Sequence, residues 1–87
     1  MITGVVSVIR VPSAPLPDWV ITRRQAIGDH VRAAREAKQL SQERLGELVG
    51  LDRKTINRVE QGTHGTLIDH LLLIASALDV PLAELVR

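Results

Sequence analysis

The sequence predicts an all-α domain of five helices that follows a short N-terminal β-strand or extended arm. Apolar residues recur at helical spacing in successive segments after residue 22, and residues that favour helix ends separate these segments. The only aromatic residue among the 87 is Trp19, so the core must be built from Leu, Ile, Val and Ala, which suit closely packed helices. We expect the arm to span residues 1–21 and one helical domain to span residues 22–87.

The arm begins with a segment rich in β-branched residues, at positions 4–11, which predicts a short strand. Pro12, Pro15 and Pro17 follow it and favour an extended connection. A single strand is not stable alone. The segment must therefore fray, pair with another strand of this chain, or pair with its copy in a second subunit. Because the sequence shows no second strong strand, pairing between two subunits is of particular interest.

The first, fourth and fifth helices are predicted from their boundary residues. The first begins after Thr22, which has capping-box spacing to Gln25, and runs to about Lys38. The fourth begins after the capping residue Thr66, and Pro81 starts the fifth, because proline is tolerated in a first turn. The last two helices would span residues 67–78 and 82–86. The predicted inward-facing residues are Ile27, Val31 and Ala34, then Leu71, Leu72, Ile74, Ala75 and Leu78.

The second and third helices are short and closely spaced, at residues 42–49 and 53–61. Ser41 and Asp52 are suited to cap their N-termini, and each helix ends at a glycine, which adopts the left-handed conformation without steric cost. These glycines are Gly50 and Gly62. The predicted inward-facing residues are Leu45, Leu48 and Val49 on the second helix, and Ile56 and Val59 on the third.

Composition excludes several classes of protein. The sequence has no cysteine, which excludes disulfides and thiolate metal sites, and His30, His64 and His70 do not form a metal-binding pattern. No apolar run approaches the roughly 20 residues that span a bilayer, and residues 1–11 lack the basic start of a secretory signal. No catalytic constellation is present. We expect a cytoplasmic protein that is not an enzyme and binds neither metal nor cofactor.

Charge is unevenly distributed. Residues 23–62 carry nine basic and six acidic groups, whereas residues 63–87 carry one basic and three acidic groups. On the third helix, the outward face contains no acid and consists of long or polar side chains, which suit the donors and acceptors of the DNA major groove. A charged helix face is usually just solvated, so the face alone is weak support. These residues are Arg53, Lys54, Thr55, Asn57, Arg58 and Gln61.

Several spacings together resemble a known family. Residues 27–86 look like the Cro and phage-repressor (Xre-type) helix-turn-helix family of DNA-binding proteins. Gly46 stands where that family usually has alanine and still permits close packing. The residues that carry the resemblance are Arg35, Leu40, Ser41, Gln42, Leu45, Gly50, Ile56, Glu60, Gly62, Leu71, Ile74, Ala75 and Leu78.

The resemblance implies a role for each residue of the site. Gln42 would donate a hydrogen bond to a phosphate, and Arg35 would pair with Glu60 to join the first helix to the third. Backbone amides of residues 63–66, including those of Thr63 and His64, would contact the phosphate strand. Side-chain chemistry suggests guanine for Arg53 or Lys54 and adenine for Asn57. The residues that would approach base edges are Arg53, Lys54, Thr55 and Asn57, with Arg58 on a base or a phosphate.

We therefore expect a sequence-specific regulator of transcription, a repressor in type, that binds a pseudo-palindromic duplex as a homodimer. Residues Leu82, Leu85 and Val86 of the last helix and the strand at 4–11 are the two candidate dimer surfaces. The alternative is an antitoxin, whose residues 1–19 would bind a toxin protein and become ordered on it. A third alternative, a structural adaptor, predicts no DNA binding even at low salt.

Overall fold

A computed structural model describes residues 15–87 of the chain. Within these residues it contains five α-helices and no strand. We number the helices α1 (Asp18–Ala37), α2 (Gln42–Val49), α3 (Arg53–Gln61), α4 (Ile68–Ala77) and α5 (Leu82–Val86). The predicted five-helix all-α fold is confirmed, and the predicted strand at residues 4–11 lies outside the described residues.

Helix α1 begins at Asp18, so the prediction that it begins after Thr22 is wrong. Pro17 occupies the N-cap position, and its carbonyl oxygen accepts the N–H of Val20 at 3.0 Å. Asp18 lies in the first turn, where its negative charge interacts favourably with the positive end of the helix dipole. The capping-box spacing that begins at Thr22 therefore lies inside the helix, and the boundary proposed between residues 21 and 22 falls within α1.

Helices α2 and α3 have the predicted bounds and caps. The Ser41 hydroxyl oxygen accepts the N–H of Arg44 at 2.9 Å, and an Asp52 carboxylate oxygen accepts the N–H of Thr55 at 2.8 Å. Each contact satisfies a backbone donor that has no partner inside its helix. The residues that end α2 and α3 in the left-handed conformation are Gly50 (φ 77°) and Gly62 (φ 64°).

Helix α4 begins one residue later than predicted. Leu67, not Thr66, occupies its N-cap position, and no side-chain cap hydrogen bond forms there. Helix α5 follows Pro81 as predicted and is held against α1 by two polar contacts. Arg23 Nη2 donates to the Val86 carbonyl oxygen at 2.7 Å, and His30 Nδ1 lies 3.1 Å from the carbonyl oxygen of Leu85.

The core lies where all five helices meet, and it contains only aliphatic side chains. Leu48 and Leu72, both predicted to face inward, are instead exposed at 48% and 49%. Each lies beyond the edge of a narrow buried face, because consecutive residues of a helix are rotated by about 100°. Trp19, near the start of α1, is 68% exposed. The buried apolar residues are Val31, Leu45, Ile56, Val59, Leu71, Ile74, Ala75, Leu78 and Leu85.

Candidate nucleic-acid interface

The turn between α2 and α3 packs directly on α2 through Gly46. A Cβ atom at this position would lie 2.4 Å from the carbonyl oxygen of Leu51, which is closer than Cβ atoms approach neighbours in real structures. The N–H of Leu51 in turn donates to the Gly46 carbonyl oxygen at 2.9 Å. The two backbones are therefore in contact, and the turn that leads into α3 is short and fixed.

Helix α3 has one buried and one open face. Ile56, Val59 and Glu60 are buried, whereas the cationic residues of the helix are exposed. Thr55 and Asn57 are half-buried between the two faces. Within residues 15–87 none of the exposed cations forms an ion pair, so their charges are available to an external anion. These cations are Arg53, Lys54 and Arg58.

Helix α1 supports α3 from behind by direct backbone contact. A Cβ on Gly28 would lie 2.4 Å from the Glu60 carbonyl oxygen and 2.5 Å from that of Val59. One turn earlier on α1, Arg24 Nε donates to the carbonyl oxygen of Gly62 at 2.8 Å. Gly62 lies so close to α1 that a Cβ there would be 2.7 Å from the Cα atom of Gln25. The C-terminal half of α3 is therefore fixed against α1.

Arg35 and Glu60 form a buried, bidentate ion pair between α1 and α3. Arg35 Nε donates to Glu60 Oε2 at 2.6 Å, and Nη2 donates to Oε1 at 3.0 Å. The remaining Arg35 nitrogen, Nη1, donates to the Leu40 carbonyl oxygen at 2.7 Å. The hydrogen bond to Glu60 raises the pKa of Arg35 above its ordinary value, although burial opposes this shift. This is the pair that the family resemblance implies.

Gln42 extends this network toward the open face of α3. Its Nε2 donates to Glu60 Oε1 at 3.0 Å and to Asn57 Oδ1 at 3.1 Å. Both hydrogens of the amide nitrogen are therefore engaged within the protein. A side-chain hydrogen bond from Gln42 to a phosphate would require the amide to leave one of these partners, which sequence reasoning had no means to foresee.

The loop between α3 and α4 brings polar groups beside Arg58. Thr63 Oγ1 lies 2.9 Å from His64 Nδ1, and both residues are exposed. Arg58, His64 and His70 line one cleft of about 290 Å³. Sequence reasoning did not nominate His70 for the site, because its proximity to α3 depends on how α4 packs.

A second cleft, of about 320 Å³, lies on the other side of α3. It is lined by Arg32 of α1 together with Asn57, Gln61 and the network described above. Arg32 is a functional candidate that sequence reasoning missed. Arg32 precedes Arg35 by three residues, so both lie on one side of α1. This spacing is the signal by which Arg32 could have been found from the sequence. Arg32 Nε also contacts a Glu36 carboxylate oxygen at 3.5 Å.

Between residues 15 and 87, no cluster of three or more His, Asp or Glu side chains could hold a metal ion. None of the helices in this range combines the length and apolar character needed to cross a membrane.

Two short helices joined by a tight turn, the second carrying cations and amides on an open face, define the helix-turn-helix class of DNA-binding domain. A family model described as helix-turn-helix matches residues 31–85. This match covers more than half of the sequence, and the chain belongs to the helix-turn-helix family of DNA-binding transcription regulators.

Individual relatives agree with this assignment. Control protein C.SmaI of Serratia marcescens is 32% identical over 62 residues, which cover 71% of this chain and 74% of that protein. The restriction-modification controller protein C.AhdI from Aeromonas hydrophila, known from a crystal structure, is 39% identical in sequence. Its superposition on this chain has a TM-score of 0.71 and covers 74% of this chain and 97% of that chain. The hypothetical transcription factor NHTF from Neisseria is 30% identical, with a TM-score of 0.71 and coverage of 91% and 88%.

Proposed function

We propose that the chain is a sequence-specific regulator, a repressor in type, that binds double-stranded DNA with α3 in the major groove. The observation that carries this proposal is the open face of α3. Three cations that form no ion pair within residues 15–87 occupy this face, while α1 fixes the opposite side of the helix through Gly28 and the Arg35–Glu60 ion pair. A helix presented in this way fits the groove, which is wide enough to admit it.

Base contacts are assigned to the exposed side chains of α3. Arg53 and Lys54 stand in the first turn, and in docked helix-turn-helix proteins the N-terminal residues of the second helix reach the base edges. An arginine or lysine there can donate to guanine N7 and O6. Thr55 and Asn57 lie behind them on the same helix, and Arg58 is placed to reach either a base or the backbone.

Phosphate contacts are assigned to the flanks of α3. The loop containing Thr63 and His64 is exposed beside Arg58 and presents backbone N–H groups together with polar side chains. Gln42 is a candidate on the opposite flank, provided that its amide exchanges one internal partner for a phosphate. The cations of α3 that approach phosphates release counterions, so the affinity should fall as salt rises, whereas the neutral amide contacts do not add to this dependence.

A homodimer is proposed because one reading helix covers only a few base pairs. Of the three predicted interface residues on α5, Leu85 is 1% exposed and belongs to the protein's own core, whereas Leu82 and Val86 are partly buried and stay candidates. The open face of α4 is the better candidate, because Ile68, Leu72 and Leu73 are exposed at 67%, 49% and 47%. Two copies joined there would read half-sites with centres roughly 34 Å apart.

The identity of the relatives suggests which genes are regulated. The Aeromonas hydrophila relative is a restriction-modification controller, and the Serratia marcescens relative is a control protein. We propose that this chain is likewise a controller of a restriction-modification system. DNA near its own gene is the first duplex to test. No observation in residues 15–87 favours the antitoxin alternative, and residues 1–14 of the proposed toxin-binding arm lie outside the described range.

Selection of bound sequences from a random duplex pool tests the function. An enriched motif with two-fold symmetry is expected, and affinities should then be measured for single-base variants of that motif. Arg53→Ala should weaken binding most strongly to the duplex that keeps the guanine Arg53 contacts, and least to the duplex in which that guanine is replaced. Arg87→Ala, which removes the same charge from an exposed position outside α3, is the matched control. An equal loss for every sequence would make Arg53 a phosphate contact, and a pool without enrichment would refute sequence-specific binding.

A further inference from the structure

We propose that Asn57 reads a base edge only as a hydrogen-bond donor, and that Gln42 is the positioning residue that fixes this polarity. The inference rests on the proposed function, because it assumes that α3 enters the major groove. Side-chain type alone suggested that Asn57 contacts adenine. An Asn57 that can only donate would instead prefer base edges that present acceptors.

The orientation of the Gln42 amide follows from the charge of its neighbour. The Glu60 carboxylate accepts two hydrogen bonds from Arg35, at 2.6 and 3.0 Å, and a carboxylate has no hydrogen to donate. The Gln42 side chain must therefore turn its NH₂ group toward Glu60, where Nε2 lies 3.0 Å from Oε1. The opposite orientation would place two oxygen acceptors against each other inside the protein.

The orientation of the Gln42 amide determines the orientation of the Asn57 amide. The second hydrogen of Gln42 Nε2 requires an acceptor, and Asn57 Oδ1 supplies it at 3.1 Å. Gln61 Nε2 approaches the same oxygen at 3.5 Å. The carbonyl oxygen of Asn57 is thus occupied, whereas its Nδ2 has no hydrogen-bond partner among residues 15–87 and lies at a cleft that opens to solvent.

A donor at this position discriminates among the four base edges. In the major groove, guanine presents the acceptors N7 and O6, adenine presents N7, thymine presents O4, and cytosine presents only the N4 donor group. An NH₂ group can address both guanine acceptors, whereas the bidentate contact to adenine also needs the amide oxygen. We therefore expect guanine to be favoured and cytosine to be excluded at the base that Asn57 faces.

The test compares the base preferences of variants selected from one random duplex pool. Asn57→Asp keeps an oxygen acceptor for Gln42 but presents an acceptor to the base. One column of the motif should therefore shift from guanine toward cytosine, by about tenfold in relative affinity. Asn57→Ala should remove the base preference in the same column. This variant provides the test if the aspartate variant fails to fold.

Gln42→Met tests the positioning role, because methionine retains the bulk but removes both donors. With its oxygen released, the Asn57 amide can turn, and adenine should become enriched beside guanine in that column. The columns assigned to Arg53 and the dependence of the affinity on salt should stay unchanged. Gln61→Ala, which removes only the 3.5 Å contact, is the control and should leave the profile as in the wild type.

Two results would overturn the inference alone, given an enriched wild-type motif. One is an identical profile in every column for both Asn57 variants. The other is a Gln42→Met protein that loses affinity equally for all sequences with its base preferences intact, because Gln42 would then act on phosphate or on the fold. A wild-type pool without any enriched motif would instead refute the proposed function, and the inference with it.

Discussion

Gly28 of α1 lies against the backbone of Glu60 on α3, with room for a hydrogen atom and not for a methyl group. A Cβ would be 2.4 Å from the Glu60 carbonyl oxygen and 2.5 Å from the carbonyl oxygen of Val59. This contact sets the distance between α3 and α1. The side chains on the opposite face of α3 therefore keep a fixed position relative to the body of the domain.

We expect Gly28→Ala to destabilise the protein. The substitution gains about 1 kcal/mol of helix propensity, but overpacking against backbone costs typically 1–3 kcal/mol, and here three backbone atoms must move. A net loss of up to about 2 kcal/mol should appear as a lower Tm in thermal unfolding followed by circular dichroism. Gly65→Ala is the control, because a Cβ there meets nothing within 4 Å. A Gly28→Ala protein as stable as the wild type would show that the helices are not in direct contact.

Arg35→Met should be strongly destabilising, because it leaves the buried Glu60 carboxylate without its counter-charge. Removal of one partner of a buried pair costs about 3–5 kcal/mol, whereas replacement of both by apolar residues is often nearly neutral. The double substitution Arg35→Met with Glu60→Leu should therefore recover most of the lost stability in urea unfolding. A double variant less stable than Arg35→Met would contradict this explanation.

The cap of α3 should make stability depend on pH. The pKa of Asp52 is lowered from its ordinary value, chiefly by hydrogen bonds from Thr55 and further by the charges of Arg58 and Lys54. Because the folded pKa is the lower one, this contribution is complete above the ordinary carboxyl pKa and is lost as the pH falls through the lowered value.

Asp52→Asn isolates this effect, since asparagine caps a helix equally well and does not titrate. The Tm of the wild type minus that of the variant should decrease as the pH is lowered from about 7 to about 2.5, while other carboxyl groups titrate in both proteins and cancel. A difference in Tm that does not change over this range would exclude a role for ionised Asp52 in the cap.

Leu72→Glu should prevent dimerisation if the exposed face of α4 joins two copies, because the substitution places two carboxylates in an apolar interface. Sedimentation equilibrium at several concentrations measures the change. Leu48→Glu is a close control, since Leu48 lies on α2 and is exposed to nearly the same extent, 48% against 49%. A dimer that survives Leu72→Glu, or a wild type that is monomeric throughout, would refute this interface.

The elements predicted most accurately are those whose boundaries depend on local chemistry. Ser41 and Asp52 cap α2 and α3 as expected, because a capping side chain needs only the backbone three residues ahead. The prediction for the start of α1 was wrong because two helix-start signals lie close together there. The Thr22 capping box is a valid local pattern, but the helix can also begin at Asp18 with Pro17 as its N-cap, and the sequence alone does not decide between the two starts.

The contents of the site were predictable only in part. The composition of the exposed face of α3 follows from helical periodicity, so its cations could be named from the sequence. The partners of Gln42 could not, since its contacts to Glu60 and Asn57 span 18 and 15 residues and exist only after α2 and α3 have packed. The exposure of Leu72 was missed for the same reason, because apolar character does not reveal how wide the buried face is.

The placement of Trp19 determines how this protein can be followed by spectroscopy. It is the only strong fluorophore, since the chain has neither tyrosine nor phenylalanine, and its indole is already 68% exposed in the folded state. Denaturation therefore moves the ring between two similarly hydrated surroundings and should change its emission only slightly. A blue shift on addition of a macromolecule would instead report that the start of α1 has become covered.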